Sequence, residues 1–189
     1  MEFDNDLNTS LKVLKEGGVI LYPTDTIWGL GCDATNPAAV KKIFGIKSRT
    51  GGKGLIILVN GLSMLERYVK EVPEVVHQLI SVSNSPLTII YPDGRNLAEG
   101  VSSDDGSVGI RICNDEFCNE LISRLRKPIV STSANKTGKP APSNFSEIDK
   151  SIIRSVDYKV RHRQDEKHKY SASPVIKVEK NGVFKILRK

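Results

Sequence analysis

The sequence predicts an α/β protein with a mixed sheet. Short apolar runs at residues 19–22, 55–59 and 87–91 alternate with segments whose apolar residues recur every three or four positions, as strands interleaved with helices do. The chain closes on Asn181-Gly182 between two alternating runs, a hairpin signal that requires at least one antiparallel pair. Its 189 residues, 39% apolar and 26% charged, suit one compact domain over residues 1–189 with a real core. No repeat, low-complexity tract or linker divides it.

The elements follow in order. Leu7, Leu11 and Leu14 mark a first helix that Gly17-Gly18 stops, and Val19 to Tyr22 read as a strand ended by Pro23, which has no N–H to donate. Asn36-Pro37 is an N-cap followed by a first-turn proline, and Val40, Ile43 and Phe44 form the apolar face of the helix it starts. A strand at 55–59, a short helix around Leu62, Leu65 and Tyr68, and a helix opened by Pro73 come next. After the strand at 87–91, residues 92–106 read as a long, exposed, mobile connection with turns at Asp93-Gly94 and Asp105-Gly106. Residues 107–112 alternate so that Arg111 faces away from Val108, Ile110 and Ile112. A helix through Phe117, Leu121 and Leu125, capped by Asn114 or Asp115, leads into a short buried strand at 128–130. Ile148, Ile152 and Val156 suggest a last helix, residues 161–169 read as a solvated charged loop, and a type I′ turn at Asn181-Gly182 joins the final strands.

Several classes are excluded by composition. No apolar run approaches the ~20 residues that span a bilayer, and the acidic start lacks a signal-peptide pattern, so a cytoplasmic protein is expected. Cys32, Cys113 and Cys118 show no C-x-x-C spacing and read as buried thiols in a reducing compartment; the three histidines are scattered relative to them, against a zinc site. The net charge of +6 is concentrated at the end: residues 150–189 hold twelve Lys/Arg against four Asp/Glu. That surplus suits a solvated face or a surface for RNA or a phosphorylated ligand.

The chemistry is expected at residues 131–143, where hydroxyls, Asn135, two lysines and the backbone around Gly138 form a donor-rich loop fit for phosphate or carboxylate. Its Ser-x-x-Lys and Lys-Thr-Gly share Lys136, which rules out the penicillin-recognising arrangement, in which they lie on separate elements. A second basic junction, residues 47–54 with Lys47, Arg49 and Lys53 among three glycines, is a candidate polyphosphate cradle without the P-loop pattern. Gly29-x-Gly31-x-x-Ala34 mimics a dinucleotide fingerprint, but its helix starts too late; the glycines instead allow close packing or ligand approach.

Taken together, residues 17–31 (Gly-Gly-Val-Ile-Leu-Tyr-Pro-Thr-Asp-Thr-Ile-Trp-Gly-Leu-Gly), Lys47-Ser48-Arg49, Gly109-Ile110-Arg111 and residues 133–140 (Ser-Ala-Asn-Lys-Thr-Gly-Lys-Pro) resemble the YrdC/TsaC family of threonylcarbamoyl-AMP synthases. The resemblance runs in the family's order from Gly17 to Arg188 and is to its short, single-domain form. It implies a twisted open sheet with a basic concave surface and a nucleotidyltransferase that joins L-threonine, bicarbonate and ATP, with Mg²⁺, into threonylcarbamoyl-AMP and pyrophosphate. The product serves threonylcarbamoyladenosine formation on tRNA, which implies affinity for tRNA or double-stranded RNA and a downstream transfer machinery.

By the same resemblance, Thr26, Arg111, Ser133 and Ser173 match amino-acid contacts. Arg49, Lys53, Ser107, Asn135, Ser143 and Arg188 match nucleotide contacts, and Lys47 and Arg49 match the catalytic cations. Two departures stand out: Lys53-Gly54-Leu55 and then Leu58 replace the family's Asn-Pro-Leu and following histidine, so that Lys53 offers a charge in place of an amide, and Ser173-Pro174-Val175-Ile176-Lys177 replaces Ser-Thr-Val-Val-Asp. Leu58 raises a related carbamoyl-handling activity as an alternative, and the basic C-terminal segment raises a non-catalytic RNA-binding protein.

Overall fold

The structure is a computed structural model that describes residues 2–48, 54–83 and 85–189. Its first helix, α1 (Glu2–Lys15), buries Leu7 and Leu14 and stops where Gly17 turns left-handed at φ +74°. Strands β1 (Ile20–Tyr22) and β2 (Gly29–Gly31) pair antiparallel, and α2 (Pro37–Lys47) starts as expected, with the Asn36 side chain accepting from the Ala39 N–H. Strand β3 (Ile56–Val59), helices α3 (Leu62–Leu65) and α4 (Glu74–Val82), and strands β4 (Thr88–Tyr91) and β5 (Val108–Ile112) follow. Helix α5 (Glu116–Leu125) is capped by Asp115, whose carboxylate accepts from the Cys118 N–H at 2.9 Å.

Two very short strands, β6 (Ile129–Val130) and β7 (Thr132–Ser133), decide the architecture. The strands form two sheets, and the chain crosses from one to the other at Ser131. β6 closes a six-stranded sheet that ends in β9 (Val175–Val178) and β10 (Phe184–Arg188), in the order β10-β9-β4-β5-β3-β6. β7 pairs with β2 in a four-stranded sheet, in the order β7-β2-β1-β8, where β8 is Tyr158–Lys159 and follows helix α6 (Lys150–Ser155). Both sheets mix parallel pairs (β3 with β5, β4 with β9, β1 with β8) with antiparallel ones. The two layers are locked by close approach at Gly31, where a Cβ would lie 2.5 Å from the Tyr22 ring and 3.0 Å from the Val130 carbonyl.

Two expectations are corrected. The connection at 92–106 is tied down rather than mobile: Ala98 and Val101 are buried, the Leu55 N–H donates to the Val101 carbonyl, and the Ala98 N–H donates to that of Ala34. The closing turn is not type I′, which needs positive φ at both central residues. Only Gly182 is left-handed, at φ +81°; its N–H donates to the Glu179 carbonyl, which is the pattern of a type I turn followed by a left-handed glycine. No helix among the described residues is long and apolar enough to cross a membrane.

The core holds several ionisable groups in neutral form. Burial, helped by Asp33, pushes the Cys32 thiol from 9.0 up to about 12, and burial raises the Tyr22 and Tyr91 phenols well above their ordinary range. The unfolded chain ionises these groups at ordinary values while the folded chain keeps their protons. Their contribution is therefore complete below about pH 9 and is lost as the pH rises toward about 12. Thermal unfolding at about pH 10.5 is expected well below its value at about pH 7.5, and Cys32→Ala should flatten part of that slope. A melting temperature that stays level across this range would contradict the assignment.

Candidate active site

A cavity of about 240 Å³ opens where the two sheets meet. Its walls come from the 26–29 segment before and within β2, the start of β3, the 131–133 crossing, Arg111 of β5, Ser173 and Arg188. Thr26, Arg111, Ser133, Ser173 and Arg188, dispersed over the whole sequence, therefore share one hollow. The pairing of β3 with β5 sets Ile56 beside Gly109 and Leu58 beside Arg111, and the β5 alternation turns Arg111 toward the cavity face.

Arg111 is almost fully buried, at 4% exposure. One Nη2 lies 2.9 Å from Asp25 Oδ1, an ion pair whose angle leaves that oxygen without an aligned hydrogen bond. The remaining contacts are long: Nη1 to Ser173 Oγ and Nη2 to Thr24 Oγ1, each 3.4 Å, with Nε buried and unpartnered. A guanidinium has five donors, so this one is under-satisfied. Arg188 reaches in from β10, and its Nε and Nη2 donate to the Ser173 carbonyl at 3.0 and 2.7 Å. Burial lowers the Arg188 pKa, and the nearby Arg111 charge lowers it further. Two guanidinia that repel each other across a small hollow are relieved by an anion.

The hydroxyls have defined directions. Thr24 Oγ1 donates its one proton to the Ile27 carbonyl at 2.9 Å, so at its 3.1 Å contact with Thr26 Oγ1 it accepts. Thr26 thus spends its proton on Thr24 and offers lone pairs to the cavity, suited to an incoming N–H or O–H. Ser173 Oγ shares a 2.7 Å bond with Thr88 Oγ1 and is buried.

Lys47 lies at the end of α2, buried to 4% exposure, and its Nζ donates to the carbonyls of Ser133 at 2.6 Å and Asn135 at 2.8 Å. Its own carbonyl accepts from the Thr137 N–H at 3.1 Å. In this structure Lys47 grips the 131–143 loop. Asn135 does not line the cavity; its side-chain amide donates to the Lys136 and Lys139 carbonyls and folds the loop on itself. Ser143 lies farther along, its hydroxyl donating to Glu147 at 2.7 Å, and Ser107 is turned to Asp105; neither lines the cavity. Arg49 and Lys53 lie outside the described residues.

The sequence named the 131–143 loop that opens at Ser131 but not Asp25, Thr24 or Trp28, although all three flank the named Thr26. The solvated loop expected at residues 161–169 holds for Arg161, Asp165 and residues 167–169, which are exposed, and is corrected at His162, Arg163, Gln164 and Glu166, which are half-buried. The His162 ring stacks on Phe117 and meets Phe3 edge-on, and the Arg163 side chain is only 14% exposed in a network of ion pairs. A larger cavity of about 570 Å³ lies on the other face of β4 and β5, walled by Ile80, Leu87, Ile89 and Ile112. None of the sequence-predicted site residues lines it, so its size does not make it the site. Among the described residues no cluster of three His, Cys, Asp or Glu side chains could cage a metal ion.

Fold and cavity define an α/β protein with a small pocket, walled by two arginines, at the junction of two mixed sheets. The chain belongs to the Sua5/YciO/YrdC family, whose profile, described as Telomere recombination, matches residues 12–189. The threonylcarbamoyl-AMP synthase of Psychromonas ingrahamii is 36% identical over 149 residues, 77% of this chain and 78% of that protein. The one from Pseudomonas aeruginosa is 37% identical over 131 residues, 69% of this chain and 70% of that protein. Among solved structures, P. abyssi Sua5 complexed with L-threonine superposes with a TM-score of 0.78 at 27% identity, covering 91% of this chain and 50% of that one. This chain thus spans about half the length of that Sua5. E. coli YciO shares the fold, with a TM-score of 0.83 at 23% identity over 97% of this chain and 88% of that one.

Proposed function

We propose that this chain, taken as one unit over residues 1–189, is a cytoplasmic threonylcarbamoyl-AMP synthase. The observation that carries this reading is the under-satisfied, buried Arg111 facing Arg188 across a hollow edged by the Thr26, Ser133 and Ser173 hydroxyls. At about 240 Å³ the cavity is below the ~300–1,000 Å³ of pockets for drug-sized ligands, which suits an amino acid and leaves the nucleotide at its mouth. Arg111 takes the carboxylate of L-threonine, and the Thr26 lone pairs take its amine or hydroxyl.

The amine and bicarbonate form a carbamate with loss of water. The carbamate oxygen then bonds the α-phosphorus of ATP as the bond to the β-phosphate breaks and pyrophosphate leaves. Charge crowds at that centre, so positioning and cationic clamping dominate the catalysis, with no covalent protein nucleophile. Arg49 and Lys53 serve the phosphates and Lys47 orders the loop beside them, with Asn135, Ser143 and Ser107 toward the nucleotide side. Mg²⁺ arrives on the phosphates as part of the nucleotide substrate, as is usual for nucleotide-bound Mg²⁺, which keeps its waters and takes few protein ligands. The basic C-terminal segment suits a transient approach of tRNA, with the product passed to a separate transfer machinery.

Pyrophosphate release from ATP and Mg²⁺ is expected only when threonine and bicarbonate are both present. Release that ignores either omission sinks the proposal. Salt-sensitive tRNA binding without any nucleotide turnover would favour a non-catalytic RNA-binding role instead.

A further inference from the structure

We propose that Arg163, which does not line the cavity, is a positioning residue that fixes the amino-acid side of the pocket through Thr24. This deepens the proposed function and rests on it for the identity of the ligand. Arg163 Nη1 donates both to the Thr24 carbonyl at 3.1 Å and to Asp115 Oδ2 at 2.8 Å. Its Nε donates to Glu166 Oε1 and Oε2 at 2.9 and 3.0 Å, and its guanidinium carbon sits 5.2 Å from the Tyr170 ring centre. Tyr170 in turn donates through its hydroxyl to Glu166 at 3.1 Å and through its N–H to the Ser143 carbonyl at 3.0 Å. One planar cation therefore joins three bodies: the 24–28 turn, the N-terminus of α5 and the far end of the 131–143 loop.

The consequence runs through Thr24. Its side chain receives the Thr26 N–H at 3.0 Å and the Thr26 hydroxyl, so the direction of the Thr26 lone pairs depends on where Thr24 is held. Beyond the bonds within its own turn to Thr26 and Ile27, the contact that reaches Thr24 from the cavity side among the described residues is that of Arg111 at 3.4 Å. From behind, the hold on its carbonyl comes from Arg163, anchored by two carboxylates. Arg163 is itself left-handed, at φ +67°, a conformation a non-glycine residue keeps when its surroundings over-determine it. Asparagine or glycine adopts that backbone readily, which separates the loss of the guanidinium from a change in chain conformation.

The test uses Arg163→Asn and Arg163→Lys in the full chain. In Arg163→Asn the KM for threonine should rise about tenfold or more while the KM for ATP stays within about twofold, since the guanidinium bonds the Thr24 carbonyl directly but reaches the Ser143 end of the loop only through Glu166 and Tyr170, whose own N–H keeps the Ser143 carbonyl. Arg163→Lys, which keeps the charge but not the fork, should fall between. Without any ligand, amide exchange across 24–28 should quicken about tenfold in Arg163→Asn, with α2 and β9 unchanged. If the wild-type protein shows no threonine-dependent turnover, the proposed function falls and the exchange comparison alone decides the positioning role. Unchanged exchange at 24–28, or equal rises in both KM values, overturns it. Should Arg163→Asn fail to fold, the same two readouts on Arg163→Lys decide.

Discussion

Arg111→Leu is expected to abolish threonine-dependent pyrophosphate release and to destabilise the fold by about 3–5 kcal/mol. Both effects come from one ion pair. Arg111 and Asp25 have side chains only 5% and 7% exposed, so removing the cation strands a carboxylate in a site that water hardly reaches. Among the described residues Asp25 then keeps a 3.2 Å hydrogen bond from the Asn114 N–H. Two urea titrations and one assay separate the structural loss from the chemical one. In Asp25→Asn combined with Arg111→Leu no charge is stranded, so most of the stability should return while turnover stays absent. If the double variant remains as unstable as Arg111→Leu, the ion pair is not the cause of the loss. If Arg111→Leu retains threonine-dependent turnover, Arg111 does not hold the carboxylate.

The pair also explains why a buried arginine persists at a place where an apolar side chain would pack well. Buried ion pairs are often replaceable by hydrophobic residues at no cost in stability. With one short contact, two at 3.4 Å and an unpartnered Nε on its guanidinium, the Arg111–Asp25 pair adds little to folding that an apolar pair could not. What leucine cannot supply is a set of donors left partly free, beside a second arginine and at the wall of a hollow.

Much of this was legible in the sequence because it rests on local rules. Asn36-Pro37 starts α2 through a cap that spans three residues, and strict alternation in β5 turns Arg111 away from its apolar neighbours whatever surrounds it. The division into two sheets was not legible. β6 and β7 have two residues each, too few for a period, and their partners lie far off in sequence at β3 and β2. Arg163 was misread for a related reason. Its environment comes from Thr24, 139 residues away, and Asp115, 48 residues away, so composition alone made it one cation in a basic run. Leu58 stands where the resemblance led to an imidazole; it is fully buried and does not line the cavity, so the adjacent wall is set by Ile56 and Arg111.

Lys47→Met should separate catalysis from stability in the opposite way to Arg111→Leu. The Lys47 ammonium is buried and donates to the Ser133 and Asn135 carbonyls; methionine removes both bonds, leaving the Asn135 carbonyl without its ammonium partner at about 1–3 kcal/mol while the Ser133 carbonyl keeps the Asn135 N–H. Against that, the variant no longer has to hold a charge out of water, which offsets part of the loss. A net change of about 1–3 kcal/mol is expected, small beside the chemical effect. The 131–143 loop carries Ser133 on the cavity wall and Asn135 beside it, and a displacement of about 1 Å in a positioned group can cost about a hundredfold in rate. kcat/KM is therefore expected to fall at least about a hundredfold, with the melting temperature only a few degrees lower. Limited proteolysis should show new cleavage between residues 135 and 143, because the loop loses its grip at Ser133 and Asn135 and, among the described residues, is held to residue 47 by the Thr137 N–H alone. A loop that resists cleavage while the activity is lost would place Lys47 on the phosphates themselves rather than on the loop. Activity that survives the change would remove Lys47 from the catalytic machinery.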